Sequence, residues 1–517
     1  MMPMLLDHLP ALAAERAPAS IALADTGSSL SYAELEQSIS ACAAGLLQLG
    51  LQRGDRVAIY LDKRCETVIA CFGAARAGLA FVPVNPLLKN DQVEHILRDC
   101  NVRVLVTSAE RHALLAPMLA SCTELQHVVL TSTAPNHCLS WTGLLSASPR
   151  PGHAIGANDM AAIFYTSGST GKPKGVVLSH RNLVIGAISV ASYLENHAGD
   201  SLLAALPLSF DAGFSQLTTA FHSGARVVLH NYLLAQDLLK TLARERITGL
   251  TAVPPLYMQL LQQRWPEGLD EHLRYFANTG GHMPLTTLQQ LRRHLPRSKP
   301  YLMYGLTEAF RSTYLPPDEV EARPESIGKA IPNAEVLVLR PDGSECAPNE
   351  PGELVHRGPL VSLGYWNDPA TTAERFKPLP PVEGRSTDEI AVFSGDTVRR
   401  DEDGFLYFIG RRDEMIKTSG YRVSPTEVED AVYASGLVAE CCAYGVEDAA
   451  LGQAIHLIVV PNSASMPSPE TLLQACRSRL PAYMLPAHIE IQAAPLLRNA
   501  NGKIDRKLLA NPEKLPA

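Results

Sequence analysis

A loop rich in glycine and hydroxyl side chains lies between two strand-like segments, residues 164–165 and 176–177. Its candidate anion-binding residues are Thr166, Ser167, Gly168, Ser169, Thr170, Gly171 and Lys174. Glycines let backbone N–H groups turn toward an anion, hydroxyls donate further hydrogen bonds, and a lysine supplies compensating charge. The spacing differs from a Walker-type P-loop, because Gly168 and Lys172 are too close and Pro173 follows. The sequence therefore predicts a phosphate-binding loop of another kind, with a flexible hairpin turn as the alternative.

Short β-branched segments alternate with longer helical patterns in the region that must position this loop. Residues 57–61, 81–84, 102–107, 226–230 and 247–253 are strand-like. Residues 65–78, 92–99 and 233–245 carry apolar side chains at helical spacing. Strand–helix–strand repetition of this kind predicts a parallel sheet covered by helices.

The pattern changes after about Ile331. Short strands at 335–340, 352–357 and 405–409 are separated by turn signals, which predicts a β-rich subdomain of hairpins, and a proline-rich, charged loop spans 377–390. From about Arg411 a new unit follows, with a helix at 425–433 and a strand at 455–460. We therefore expect an α/β protein with a large N-terminal domain, 1–411, of helix-covered sheets plus the β-rich subdomain. A small, mobile α+β lid domain, 412–517, would complete it.

Composition and charge limit the function classes. At 517 residues, 46% hydrophobic and 19% charged, the chain is an ordinary globular sequence of several folding units. The net charge of −8 argues against nucleic acid as a main partner, since a phosphate backbone requires a basic face. The N-terminus lacks the pattern of a secretion signal, and no apolar run approaches the ~20 residues of a membrane span. We expect a cytoplasmic protein.

The loop at 164–177 resembles the phosphate-loop signature of the adenylate-forming superfamily of acyl-CoA synthetases, carrier-protein-loading adenylation domains and luciferases. Further motifs of that superfamily follow in order along essentially the whole chain. They include Leu-Ser-Tyr-Ala-Glu-Leu at 30–35, Tyr-Gly-Leu-Thr-Glu at 304–308, Ser-Gly-Asp at 394–396, Gly-Arg-Arg-Asp at 410–413 and Asn-Gly-Lys-Ile-Asp at 501–505. Longer segments at 60–64, 81–89 and 304–317 resemble a narrower group, the AMP-forming acyl-CoA ligase associated with bacterial exosortase A systems.

The resemblance implies that the chain activates a carboxylic acid with ATP and Mg²⁺ to give an acyl-adenylate. Lys503 would reach the α-phosphate and the carboxylate, Thr307 would contact the α-phosphate, and Glu308 would bind Mg²⁺. Attack of a carboxylate on the α-phosphorus brings two anions together, so catalysis of this kind depends on positioning and charge neutralisation. Taken singly, an isolated lysine is usually solvated and an isolated glutamate usually lies on the surface.

The same resemblance implies how the nucleotide is bound. Tyr304 would stack on adenine, Asp396 would accept hydrogen bonds from both ribose hydroxyls, and Arg411 would add a donor. The remaining nucleotide-binding positions are Gly280, Gly281 and Gly305, where glycine permits a close approach. The alternative for Asp396, which follows a glycine, is a turn residue.

Asp413 matches the hinge position of the superfamily. The resemblance implies that the C-terminal domain rotates there after adenylation, which removes Lys503 and admits a thiol. Gly420, Tyr421 and Arg422 would lie on the face that then approaches the site. One site would thus perform two half-reactions.

The acid is predicted from Phe210 and Asp211, which follow a Pro-Leu-Ser segment and resemble the substrate-binding positions of amino-acid-activating domains. A carboxylate that faces an acyl pocket is costly unless it is paired, so a substrate ammonium is one expected partner. The alternative is that Asp211 hydrogen-bonds a loop or caps a helix. Both possibilities stay open at this point.

The thiol acceptor is also open, since the segments at 480–486 and 501–506 resemble carrier-protein-loading enzymes, whereas 415–420 resembles CoA ligases. We expect transfer to CoA, with a separate acyl carrier protein bearing phosphopantetheine as the alternative. No carrier domain is expected within the chain. Two further alternatives are a degenerate nucleotide-binding scaffold and a luciferase-like oxidative use of the adenylate.

Overall fold

A computed structural model describes residues 3–132, 134–135, 138–148, 150–166, 173–379, 389–411, 414–418, 421–448, 451–462, 466–499 and 502–510. At positions 421 and 422 it describes the backbone alone.

The α-helices in the described residues are α1 His8–Arg16, α2 Tyr32–Gln48, α3 Cys65–Arg76, α4 Asn90–Asp99, α5 Ala109–Leu119, α6 Trp141–Leu145, α7 His180–Tyr193, α8 Asp211–Ser223, α9 Ala235–Arg244, α10 Pro254–Leu261, α11 Leu285–His294, α12 Pro369–Arg375, α13 Pro425–Tyr433, α14 Pro469–Arg477 and α15 Arg506–Ala510. The strands are β1 Ile21–Asp25, β2 Ser28–Ser31, β3 Arg56–Tyr60, β4 Ala80–Pro83, β5 Val102–Thr107, β6 His127–Leu130, β7 Leu139–Ser140, β8 Met160–Thr166, β9 Lys174–Ser179, β10 Ser201–Ala204, β11 Arg226–Leu229, β12 Gly249–Ala252, β13 Tyr275–Asn278, β14 Lys299–Tyr304, β15 Thr313–Leu315, β16 Ser326–Ala330, β17 Glu335–Leu339, β18 Gly352–Arg357, β19 Phe376–Pro378, β20 Ile390–Arg400, β21 Leu406–Arg411, β22 Ile416–Thr418, β23 Tyr421–Val423, β24 Val438–Asp448, β25 Gly452–Pro461 and β26 His488–Ile491.

Two large sheets form the N-terminal domain. One has the order β7-β6-β5-β3-β4-β8-β9, parallel except for the hairpin β8–β9. The other has a parallel centre, β1-β11-β10-β12-β13-β14, and β2 pairs antiparallel with β1 at one edge. The predicted parallel, helix-covered sheet is therefore confirmed, and there are two of them.

The predicted β-rich subdomain is confirmed as antiparallel strands, and it continues the second sheet without a break. From β14 the sheet runs through β15, β16, β21, β20 and β18 to β17, all antiparallel neighbours. The parallel strands and the β-rich subdomain thus belong to one continuous sheet.

The C-terminal domain has its own sheet, in which β23, β22, β25 and β24 are antiparallel and β26 pairs parallel with β25. Helices α13 and α14 pack against a separate core that includes Val428, Val432 and Leu472. No helix among the described residues is long and apolar enough to cross a membrane.

Helix α8 explains how the fold brings a charged residue to its interior. Its sequence combines Phe, Leu and small hydroxyl residues on all faces, and every residue from Asp211 to Phe221 is buried. A helix that is apolar or neutral all round is expected in the interior. The first turn packs so tightly that a Cβ at Gly213 would lie 1.8 Å from the carbonyl oxygen of Pro207. The position of Asp211 is therefore fixed by backbone packing.

Candidate active site

Parallel strands of the second sheet deliver several predicted residues to one edge. Gly280 follows β13, Tyr304 ends β14, and Asp211 lies beyond β10 at the start of α8. In open α/β sheets, ligands bind outside the carboxyl ends of the strands. This edge is the candidate site.

The glycine-rich loop connects β8 and β9, which pair antiparallel with Thr166 opposite Lys174. The two predicted flanking strands are confirmed, whereas Ser167, Gly168, Ser169, Thr170 and Gly171 lie outside the described residues. The Lys174 Nζ donates to Thr371 Oγ1 at 3.0 Å and lies 3.4 Å from Asp368 Oδ2. The start of α12 therefore holds this lysine at the end of the loop.

The segment after β14 forms a short 3₁₀ turn, Thr307–Ala309. Within it, Glu308 Oε1 accepts a hydrogen bond of 2.6 Å from the Tyr365 hydroxyl, and the Glu308 carbonyl accepts one of 2.8 Å from Ser362 N–H. Tyr365 thus orients a carboxylate at the edge of the site. Carboxylate oxygens are the ligands that Mg²⁺ prefers, so the donor chemistry at Glu308 fits that cation.

Asp396 contacts two of the other predicted nucleotide-binding residues. Its Oδ2 accepts a hydrogen bond of 2.5 Å from the Tyr304 hydroxyl, and its Oδ1 lies 3.3 Å from Arg411 Nε. Burial raises the pKa of Asp396, although Arg411 and Tyr304 both oppose the rise. Apart from its ion pair with Arg411, the buried Oδ1 has no hydrogen-bond partner among the described residues. A buried acceptor of this kind is costly unless a ligand donor satisfies it. A ribose hydroxyl fits that requirement.

Lys503 extends from the C-terminal domain to the edge of the second sheet. Its Nζ lies 5.8 Å from the centre of the Phe210 ring, and its Cε would lie 3.1 Å from a Cβ at Gly280. Burial lowers the pKa of Lys503, whereas the charge of Asp211 has the opposite effect. The bridge between Arg498 and Ile504 and the hydrogen bond from Lys503 N–H to Asn499 Oδ1 hold its backbone. The structure therefore brings this C-terminal lysine beside Gly280 and Phe210, the residue that precedes Asp211.

Asp211 forms a buried ion pair inside the chain. Its Oδ2 accepts a hydrogen bond of 3.2 Å from Arg311 Nη1, and its Oδ1 accepts one of 3.2 Å from Thr307 Oγ1. The side chains of Arg311 and Asp211 are 2% and 4% exposed. Burial raises the pKa of Asp211, and Arg311 and Lys503 oppose the rise. The carboxylate predicted to face the acid thus has a cationic partner in the protein.

A second contact joins the two domains close to Lys503. His282 Nε2, in the loop after Gly281, lies 3.1 Å from Asp430 Oδ1 on α13. Burial opposes protonation of His282, but Asp430, Glu325 and Glu429 outweigh it, so the pKa of His282 is raised. This contact holds the C-terminal domain in the arrangement in which Lys503 reaches the site.

Several predictions fall on residues that the structure does not describe. Asp413, the predicted hinge, and Gly420 lie outside the described residues, and for Tyr421 and Arg422 only the backbone is described. Three residues near the site were not predicted to act there: Arg311, Tyr365 and His282. Arg311 lies in the segment 304–317, whose resemblance gave this side chain no role, whereas Tyr365 and His282 lie in no motif named above.

Comparisons with known proteins agree with this geometry. The sequence model of the family described as AMP-binding enzyme matches residues 11–366, and the one described as AMP-binding enzyme C-terminal domain matches residues 427–503. A long-chain-fatty-acid–CoA ligase of Salmonella typhimurium is 31% identical, covering 94% of this chain and 93% of its own. An L-proline–[L-prolyl-carrier protein] ligase of Pseudomonas fluorescens is 33% identical, covering 96% of each chain.

Among solved structures, the o-succinylbenzoate coenzyme A synthetase of Bacillus subtilis in complex with ATP and magnesium ion is similar to this chain. Its TM-score is 0.82 at 28% identity, and the match covers 97% of this chain and 98% of the other. The similarity thus extends over both domains.

Proposed function

Because this chain belongs to the AMP-binding enzyme family and is an ATP-dependent acid–thiol ligase, we propose that it makes acyl-CoA from an acid that carries no ammonium group. Two half-reactions give the product. A carboxylate oxygen attacks the α-phosphorus of ATP, pyrophosphate leaves, and an acyl-adenylate forms. The sulfur of a thiol then attacks the acyl carbon to form the thioester bond, and the thiol loses its proton. The bond between the acyl carbon and the phosphate oxygen breaks, and AMP leaves with that oxygen.

The position of Lys503 beside Gly280 and Phe210, next to Asp211, is the observation that supports this proposal for the first half-reaction. We propose that Lys503 neutralises the approaching carboxylate and the α-phosphate, and that Thr307 donates to that phosphate. A lysine suits the task as a point charge on a flexible stem. Positioning of this kind supplies much of the barrier reduction when two anions react.

The nucleotide would be held by residues of the large domain. Asp396 Oδ1 would accept a ribose hydroxyl, Tyr304 would lie against adenine, and the loop from Thr166 to Lys174 would bind the phosphates. Glu308, oriented by Tyr365, would bind Mg²⁺. When bound, that ion would neutralise charge on the pyrophosphate leaving group.

The second half-reaction requires Lys503 to leave the site. We propose that the C-terminal domain, 412–517, rotates against domain 1–411 about Asp413, as the resemblance implies. The inter-domain contact from His282 to Asp430 would break in that rotation. A lid motion of this kind lets one site serve two reactions.

CoA is proposed as the acceptor because the similar fatty-acid and o-succinylbenzoate ligases use it, although the prolyl-carrier protein ligase matches an equal share of this chain. Transfer to a carrier protein is the second candidate, favoured by the similarity to the prolyl-carrier protein ligase. The Asp211–Arg311 pair weighs against an amino acid, the substrate of that relative, because the Asp211 carboxylate already has a cationic partner. It thereby favours the acyl-CoA ligase reaction. The association with exosortase A systems and the cytoplasmic location stay predictions.

The experiment measures ATP–pyrophosphate exchange over fatty, aromatic and amino acids, and then thioester formation with CoA and with a phosphopantetheine-bearing carrier protein. The proposal expects exchange with unsubstituted acids and transfer to CoA. Exchange with amino acids alone, followed by transfer to the carrier protein alone, would establish the second candidate instead. Nucleotide binding without exchange for any acid would indicate a degenerate scaffold.

A further inference from the structure

The ion pair between Asp211 and Arg311 lies next to Phe210, whose ring centre is 5.8 Å from Lys503 Nζ. Asp211 is the carboxylate whose charge acts on Lys503, the residue proposed to hold the substrate carboxylate. A substituent on the carbon next to that carboxylate would therefore lie close to Asp211. The protein has already placed a cation there.

The backbone is arranged so that Arg311 turns back toward Asp211. Phe310, the preceding residue, has φ of 59° and ψ of −60°, a conformation that non-glycine residues rarely adopt. Its ring fills a space in which a Cβ at Gly186 would lie 2.4 Å away. The Arg311 N–H donates to the Ala309 carbonyl at 2.6 Å, which closes the turn. The contact of the Phe310 ring with Gly186 and the turn hydrogen bond hold this strained backbone conformation, which fixes the direction in which Arg311 leaves the chain.

The pair leaves no unmet negative charge. Each oxygen of Asp211 accepts a hydrogen bond, one from Thr307 and one from Arg311. A substrate ammonium at Asp211 would compete with Arg311 for the carboxylate, and loss of that partner by the buried guanidinium is strongly unfavourable. An acid without an ammonium makes no such demand. Binding of an amino acid therefore carries a free-energy cost that an acid without an ammonium avoids, so the pair discriminates against amino acids.

The opposite side of Arg311 faces a small cavity of about 20 Å³, enough for one water molecule. Its walls combine aliphatic side chains, such as Leu194, Leu202 and Met303, with polar ones, such as Gln216 and Thr251. Two lining atoms, Arg311 Nε and Thr219 Oγ1, have no hydrogen-bond partner among the described residues. No carboxylate lines this cavity among the described residues, so Asp211 is the acidic partner of Arg311.

We propose that Arg311 determines the substrate class: by neutralising Asp211 from within the protein, it restricts the enzyme to carboxylic acids with an uncharged chain and no α-ammonium. This inference rests on the proposed ligase function and adds the residue that sets its specificity. Removal of the guanidinium frees the Asp211 carboxylate to bind an α-ammonium.

The test uses pairs of acids that differ only in the α-amino group, such as hexanoate with norleucine and phenylpropanoate with phenylalanine. ATP–pyrophosphate exchange gives kcat/KM for each acid with wild type, Arg311→Met and Arg311→Lys. Wild type is expected to prefer the unsubstituted acid, and Arg311→Met to shift the ratio toward the amino acid by about tenfold or more. Arg311→Lys keeps the positive charge and is expected to keep the wild-type preference.

Two controls separate this role from a general loss of stability. Arg76→Met removes an arginine that pairs with Asp7 and Glu36, none of them proposed to contact a reactant, and is expected to leave the ratio unchanged. The double variant Asp211→Asn with Arg311→Met lacks the freed carboxylate and is expected to lose the gain for amino acids. Circular dichroism and thermal melts establish that each variant is folded.

Equal kcat/KM values of the wild-type enzyme for the amino acid and for its unsubstituted partner would overturn the inference, even if Arg311→Met cannot be made. A folded Arg311→Met variant with an unchanged ratio would do the same. In either case the ligase function would stand, because exchange itself would have been measured. Exchange with no acid of any pair would contradict the proposed function on which the inference rests.

Discussion

Lys503 lies against Gly280 so closely that its Cε would be 3.1 Å from a Cβ at that position. Gly280 also has φ of 74°, in the left-handed region that glycine adopts without strain. The adjacent Gly281 has no positive φ, and the nearest atom to its Cβ would be 3.6 Å away, on Pro254. The two glycines thus differ in what a methyl group would disturb.

Gly280→Ala is expected to slow adenylation by about tenfold or more, because both the backbone strain of about 1–2 kcal/mol and the contact with Lys503 oppose the docked arrangement. The measurement is the rate of pyrophosphate release with saturating acid. Gly281→Ala makes the same change at the neighbouring predicted nucleotide-binding glycine, without strain or contact with Lys503, and is expected to lose less activity. Equal losses in the two variants would show that proximity to Lys503 is not the reason.

His282→Gln is expected to change how adenylation depends on pH. Asp430, Glu325 and Glu429 raise the pKa of His282 above its usual value of about 6.5. The stabilisation of the docked arrangement by charged His282 is complete below that usual value and is lost as pH rises through the raised pKa. A partly exposed pair contributes about 0.5–1 kcal/mol, so wild-type exchange should fall by about two- to fivefold over that rise.

The same pH series applied to His282→Gln should lack this fall. Thioester formation from acyl-adenylate supplied directly should lack it in both proteins, because the C-terminal domain is proposed to have rotated away in that step. If the variant shows the wild-type fall, another group is responsible for it.

Tyr304→Phe removes the hydroxyl that donates to Asp396 Oδ2. Hydrogen bonds to charged groups contribute about 1.5–3 kcal/mol, so the KM for ATP is expected to rise by about tenfold or more. The KM for the acid should change little, because Asp396 is proposed to bind the ribose. A matched rise in both KM values would argue that Tyr304 supports the whole site instead of the nucleotide pocket.

Arg311→Met is expected to lower the free energy of unfolding by about 3–5 kcal/mol at neutral pH, because it leaves Asp211 buried and unpaired. Burial already raises the pKa of Asp211, and loss of Arg311 raises it further. The deficit should therefore be smallest below the usual aspartate pKa of about 3.9 and grow as pH rises above it. Thermal unfolding at several pH values measures this. A deficit independent of pH would indicate lost packing alone.

Elements with strong local signals could be predicted from the sequence with accurate ends. Strands Val102–Thr107 and Gly352–Arg357 and helix Pro425–Tyr433 have the predicted bounds, since β-branched runs, turn residues and an N-terminal proline define them locally. The predicted helix at 233–245 is shorter, Ala235–Arg244, because the exposed Leu233 and Leu234 precede its first turn. Helix ends are the least reliable part of such predictions.

The side-chain pairings of the site could not be predicted in this way. Asp211 and Arg311 are 100 residues apart in the chain, and His282 and Asp430 belong to different domains. No local pattern states which turn will face which helix. The motifs identified the residues proposed to contact the reactants, while the partners that set their charge became evident only from packing.

Lys503 is proposed to act in the first half-reaction alone, and Lys503→Ala tests this role directly. The variant should lose ATP–pyrophosphate exchange by several orders of magnitude, since the charge that neutralises two reacting anions is removed. Given acyl-adenylate and CoA, the same variant should form thioester at close to the wild-type rate. Unchanged exchange, or an equal loss in both half-reactions, would contradict the proposal that Lys503 acts in the first half-reaction alone.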